Sequence, residues 1–198
     1  MNAGLLFVCI SVGLFVVGCE QRSRPTKGQS AQRSEAKPWM IGAEQGLNPT
    51  LMIANFATDS DDKLPWGSFF SQVLAEKVNY APRELFSMPP LGEIDQEYRH
   101  LHRTDDRKSY AHPHSVDDAI RLARMFGVSY VVTGNAQKRA DRLRISAEIR
   151  DSKTSQTLTR FTAEGTISES PKMLVECCNQ ILDGLKIKTD ASVRDYLT

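Results

Sequence analysis

Apolar and polar positions divide this chain into stretches of distinct character. Leu5 to Val17 is apolar except for Ser11 and Gly13, and no charged side chain precedes Glu20. From Glu20 to Pro38 the character reverses, with Gln, Arg, Ser and Lys prominent and no large apolar residue. Trp39, Met40 and Ile41 bring apolar sequence back, and beyond them short apolar runs alternate with helical periodicities. Leu51 to Phe56, following Pro49, predicts a first strand, and Gly67 to Tyr80 a helix with Phe70, Val73 and Leu74 towards a core. Leu85 to Met88 predicts a short second strand stopped by Pro89 and Pro90. The polar sequence from there to His114 predicts at most one turn of helix, near Ile94 to His102.

The second half is more strongly patterned. Ser115 to Phe126 reads as a helix: Ser115 is placed to cap it, Asp117 and Asp118 fall in its first turn, Val116, Ala119, Ile120 and Ala123 form an apolar stripe, and Gly127 closes it. Val128 to Thr133 is a β-branched, apolar run suited to a central strand. Leu143, Ile145, Ala147 and Ile149 alternate with Arg142, Arg144, Ser146, Glu148 and Arg150, the pattern of a strand with one buried and one wet face. Thr157 to Glu164 follows after the polar turn Asp151 to Gln156. A final helix opens at Ser170 with Pro171 in its first turn and carries Leu174, Cys178, Ile181, Leu182 and Leu185 on one side. The predicted fold class is α+β: a β-α-β-α-β-β-β sheet with helices packed against it, the last three strands an antiparallel meander, then a C-terminal helix.

The apolar N-terminal run falls short of the ~20 residues a bilayer span needs, and polar sequence without stop-transfer character follows it. It ends Val16, Val17, Gly18, Cys19, which resembles the lipobox of bacterial lipoproteins. That resemblance implies cleavage after Gly18 and diacylation of the Cys19 sulfur, although only the α-amino group of Met1 supplies positive charge ahead of the run. The expected organisation is a signal peptide over 1–18, a disordered tether over 19–38, an α/β domain over 39–186 and a tail over 187–198.

From Leu122 to Phe161 the order of elements and the residues Leu122, Ala123, Phe126, Gly127, Val128, Tyr130, Val132, Gly134, Arg142, Leu143, Ile149 and Asp151 resemble the TolB amino-terminal-like domain family. Ser155 departs from it, standing where many relatives place a turn glycine. Lipobox, tether and one terminal domain together look most like the activator lipoproteins of penicillin-binding proteins. This resemblance implies a non-enzymatic interaction module on the periplasmic face of the outer membrane, held by lipid and binding an envelope protein such as a peptidoglycan synthase. It implies no cofactor.

Charge and candidate chemistry refine this picture. The net charge of +1 gives no reason to expect a nucleic-acid partner. Lys138, Arg139, Arg142, Arg144 and Arg150 are candidates for a basic docking surface, against the simpler reading of a solvated strand face. The four histidines occur as His100 and His102, and His112 and His114; two H-x-H pairs in extended sequence suit zinc or copper, which would make the protein a metal-binding or sensing lipoprotein. Asp59, Asp61 and Asp62 lack EF-hand spacing and read as a solvated acidic loop. Adjacent Cys177 and Cys178 read as packing residues, because C-x-x-C spacing is absent. No hydrolase or phosphate-loop motif is present.

Overall fold

A computed structural model describes residues 49–79, 86–103 and 112–189. The signal-like run, Cys19, the tether and Trp39 to Ile41 lie outside these residues. Chain order is β1 (Leu51–Ile53), β2 (Ala57–Ser60), α1 (Trp66–Asn79), α2 (Leu91–His102), α3 (Val116–Met125), β3 (Tyr130–Arg139), β4 (Arg142–Asp151), β5 (Thr157–Thr166), a 3-10 turn (Ile167–Glu169) and α4 (Ser170–Gly184). The strands make a five-stranded sheet ordered β1-β3-β4-β5, with β2 also pairing β3. β1 and β2 run parallel to β3, while β3, β4 and β5 form the expected antiparallel meander.

Strict alternation sets the sidedness of the sheet. Leu51 and Ile53 enter one apolar cluster with Val132, Leu143, Ile145, Ile149 and the buried sides of α1 and α4. Met52 and Ala54 enter a second, with Val131 and the buried sides of α2 and α3. Successive strand residues point to opposite faces, so the two clusters lie on opposite sides of the sheet. Helices α1 and α4 thus cover one face. On the other, α2 and α3 pack over β1 and the first half of β3, leaving Arg144 and the alternate residues Leu158, Arg160, Thr162 and Glu164 of β5 exposed.

Several expectations need correction. The predicted first strand is two short ones: from Ile53 to Ala57 the chain advances by one more residue than its partner does from Val132 to Asn135. The extra residue acts as a bulge would, and it accompanies two local anchors. The Asn55 carbonyl accepts from the His114 N–H at 3.0 Å, and the Phe56 N–H donates to Ser71 Oγ at 3.3 Å while Phe56 itself is fully buried. The predicted second strand is a single bridge between Thr50 and Ser87. Where one turn of helix was expected, α2 has 12 residues, although only Ile94 and Tyr98 bury. Val73 on α1 and Val116 on α3 face solvent, 46% and 37% exposed.

The cap of α3 is as expected, with Ser115 Oγ accepting from the Asp118 N–H at 3.1 Å and Gly127 at φ 67 ending it, a conformation that costs glycine little. On α4, Met173 and Cys177 join Cys178, Ile181 and Leu182 in the core. Among the described residues no helix is long and apolar enough to cross a membrane.

Candidate partner-docking surface

The wet side of β4 carries Arg142, Arg144, Ser146, Glu148 and Arg150, because the intervening residues are held in the core. Arg142 and Arg150 stand about 27 Å apart at ~3.4 Å per residue, so the basic positions form two ends and not one patch. At the first end, Arg142 meets Glu164 at 2.9 Å, and Arg139 makes two hydrogen bonds to the Asp59 carboxylate at 2.7 and 2.8 Å. At the other, Arg150 donates to Glu148 at 2.7 Å, and Glu148 also accepts from Thr157 at 3.1 Å and Arg160 at 3.3 Å. Burial opposes ionisation of Glu148, but the hydrogen bond and charge of Arg150, with the bonds from Thr157 and Arg160, outweigh it and hold the pKa below the ordinary carboxylate value. Arg144 is exposed and makes no ion pair with a described residue.

Lys138 does not belong to this face. It alternates with Arg139 and points to the side of α1, where its ammonium lies 2.7 Å from Asp62 and 3.3 Å from Asp61 and 5.9 Å from the centre of the Trp66 ring. The hydrogen bond to Asp62 and the charges of both aspartates raise the Lys138 pKa, and the same hydrogen bond holds Asp62 well below the usual carboxylate range. Asp61 also accepts from the Ala140 N–H at 2.9 Å. The acidic loop is therefore not simply solvated: its carboxylates fix the β2 end and the β3–β4 turn.

An open groove of about 490 Å³ lies between α3 and the β4–β5 turn, lined by Val116, Asp117, Ile120, Arg121, Arg124, Met125, Arg150 and Ser155. Its turn wall is built from local hydrogen bonds. Asp151 Oδ1 accepts from the Lys153 N–H at 2.9 Å and the Thr154 N–H at 2.8 Å. Ser155 sits at φ 62, a conformation that a glycine would adopt at less cost. Arg124 ties helix to turn, donating to Ser152 O at 2.6 Å, Lys153 O at 3.1 Å and Ser155 Oγ at 2.9 Å, and Arg150 donates to Ser155 O at 3.0 Å. Met125 is 53% exposed and Val116 37%, and, nine residues apart on α3, they stand at opposite ends of the groove. The groove therefore combines exposed apolar side chains with guanidinium groups on a hydrogen-bonded frame.

Of the five basic residues picked out in the sequence, only Arg150 lines this groove; Arg121, Arg124, Val116 and Met125, which also line it, were not among them. The available signal was the polar side of α3, where Arg121 and Arg124 lie three apart.

The histidines are placed differently from an H-x-H site. His100 and His102 lie on α2, where residues two apart diverge by about 200°. His100 is 3.7 Å from Glu97, whereas His102 is 3.3 Å from Asp118 and has its ring 4.5 Å from Tyr98. His114 stacks on the same Tyr98 at 4.3 Å, and its Nδ1 accepts from the Asn55 N–H at 3.4 Å. The proton of the neutral ring is then on Nε2, which is buried without a hydrogen-bond partner among the described residues. Burial lowers the His114 pKa to about 4 against the opposing charges of Asp118 and Asp95. His112 contributes its carbonyl, accepting from Asn55 Nδ2 at 3.3 Å. Among the described residues no group of three His, Cys, Asp or Glu side chains is placed to hold a metal ion. Cys177 and Cys178 are free and buried, and burial pushes both thiols up to about 12, where no reactive thiolate forms at neutral pH.

No protein-family model matches the chain, and no curated protein matches it in sequence. Solved structures resemble it at low identity. The C-terminal domain of LpoB from Salmonella enterica is 12% identical, with 60% of this chain and 82% of that one covered and a TM-score of 0.46. Lipoprotein GNA1162 from Neisseria meningitidis is 13% identical over 68% of this chain and 99% of that one, at a TM-score of 0.45. TolB from Acinetobacter baumannii is 16% identical over 70% of this chain and 28% of its own length, at 0.44.

Proposed function

We propose that the chain is a lipid-anchored interaction module of the cell envelope, which binds a protein partner through the groove between α3 and the β4–β5 turn. The lipid-anchor part rests on the string Val16, Val17, Gly18, Cys19 after an apolar, uncharged run, and on the polar stretch to Pro38 that separates it from the domain. The docking part rests on one observation above the others: exposed Met125 and Val116 line one groove with Arg121, Arg124 and Arg150. Exposed apolar side chains interspersed with arginines are a composition found at protein interfaces. The partner segment it fits carries acidic residues next to apolar ones, and a synthase of the cell wall, as the sequence resemblance implies, is one class of protein that can present such a segment.

The test is recovery of the full chain from solubilised envelopes together with whatever it holds. Arg121→Glu with Met125→Glu should remove the co-purifying protein and leave the thermal unfolding transition in place, since both side chains are on the surface. Retention of the same protein by the double variant would place docking elsewhere.

A second reading, docking through the basic strand positions Arg142 and Arg144, is favoured only by the exposure of Arg144. Arg142→Glu with Arg144→Glu separates it from the first, because neither residue lines the groove.

A further inference from the structure

Among the described residues, the outer edge of β5 is the longest unpaired backbone in the sheet. The strand has 10 residues, pairs only β4 among the described strands, and past the irregularity at Ile149 and Arg150 it is in unbroken register from Thr159 to Thr166. It has no proline and no lysine, and its one bulge, at Leu158, lies outside the run from Thr159 to Thr166.

We propose that this edge pairs antiparallel with the same edge of a second copy, about a twofold axis through Thr162, joining two sheets into one. The sequence of β5 selects both partner and register. Pairing about Thr162 sets Arg160 opposite the second copy's Glu164, and Glu164 opposite its Arg160, on the wet face. Arg160 and Glu164 are 76% and 49% exposed, each engaged on one side by its own copy, with Glu148 and Arg142. Each new pair continues a cross-strand row: within a copy Glu148 stands across from Arg160 and Arg144 across from Glu164. Two rows of alternating sign then cross the seam, each running Glu148, Arg160, the second copy's Glu164 and the second copy's Arg144.

No neighbouring register does this. Centring on Phe161 leaves Glu164 opposite Leu158, and centring on Ala163 leaves Arg160 opposite Thr166. Centring on Arg160 or Glu164 sets like charges face to face, which is unfavourable. An axis between residues would put core-facing side chains opposite wet ones. In the Thr162 register the core face also matches, Phe161 meeting Ala163 and Thr159 meeting Gly165, large against small. The interface is isologous and closes as a pair, with no free copy of the same edge left over.

The test uses the full chain in detergent, followed by sedimentation over a range of concentrations. The wild type should be a reversible dimer. Arg160→Glu alone and Glu164→Arg alone each place two like-charged pairs at the seam, and each should raise the dissociation constant roughly tenfold or more. An equimolar mixture of the two variants should recover dimer, because a mixed pair restores both contacts: the two acidic side chains of the first variant face the two basic side chains of the second. Circular dichroism confirms that each variant is folded. Any damage a substitution does within its own copy is the same alone and mixed, so recovery on mixing reports the seam itself. A wild type that stays monomeric at every concentration, or single variants that dimerise as well as the wild type, would overturn the proposal, as would a mixture no more dimeric than its components. Failure here leaves the docking groove untouched, since neither Arg160 nor Glu164 lines it.

Discussion

His114 shows how one side chain couples the fold to pH. It is neutral, stacked on Tyr98 and held with a pKa of about 4, against 6.5 for the free side chain. A histidine whose folded pKa is depressed takes up its proton more readily when unfolded, so its contribution is complete above pH 6.5 and is lost as pH falls from there towards 4. The full difference is on the order of 3 kcal/mol. Thermal unfolding should therefore soften between pH 6.5 and 4, above the range in which the ion-paired carboxylates Asp62 and Glu148 take up protons. His114→Gln should flatten that part of the profile, and a slope unchanged by the substitution would assign it to other groups. Gly67 makes a different point about single residues. A Cβ there would sit 2.2 Å from Ala57 O and 2.5 Å from Phe56 O, and these are backbone atoms of β2 and its approach that have no alternative rotamer. Gly67→Ala should cost on the order of 2 kcal/mol in chemical denaturation; a neutral result would mean that α1 starts farther from the sheet. Neither role was visible in the sequence, where His114 is half of an H-x-H pair and Gly67 an ordinary helix-start residue.

Among the elements, legibility followed the strength of periodicity. β4 was read correctly down to the facing of each residue because its alternation is strict, and α3 because its cap, acidic first turn and closing glycine all agree. This makes the strand the place for a sharp contrast. Ile145 is fully buried and Arg144 exposed, so Ile145→Asp should cost several kcal/mol by burying an unpaired carboxylate, about half of a small domain's stability, while Arg144→Asp should stay within about 0.5 kcal/mol. Equal shifts in melting temperature would mean that the facing of β4 is wrong. The N-terminal half was less legible for physical reasons. β1 and β2 are each too short to show a period, and the extra residue between them reverses whatever alternation exists. α2 buries only Ile94 and Tyr98, which gives a single i, i+4 pair in an otherwise charged run, indistinguishable from loop by hydrophobicity alone. The groove was illegible for a related reason, since it joins the outer side of a helix to a turn about thirty residues later, and Arg124 and Arg150 owe their positions to the carbonyls of Ser152, Lys153 and Ser155.

On the largest scale, the described sheet is covered unevenly. Two helices cover one face of the sheet, and on the other face the helices stop short, leaving the groove at their margin. Anchoring at Cys19 would hold this surface within a tether's reach of the membrane, and Cys19→Ser should leave a larger precursor that no longer incorporates labelled fatty acid; unchanged labelling would remove the anchor from the account. The most direct measurement of the central claim is site-specific photo-crosslinking in intact envelopes, with a photoreactive side chain placed once at Met125, in the groove, and once at Asp183, on α4 across the sheet. The groove account predicts a discrete adduct from Met125 that is lost when Arg121→Glu is added, and none of the same mass from Asp183. The same adduct from Asp183, or no adduct from Met125, would contradict it.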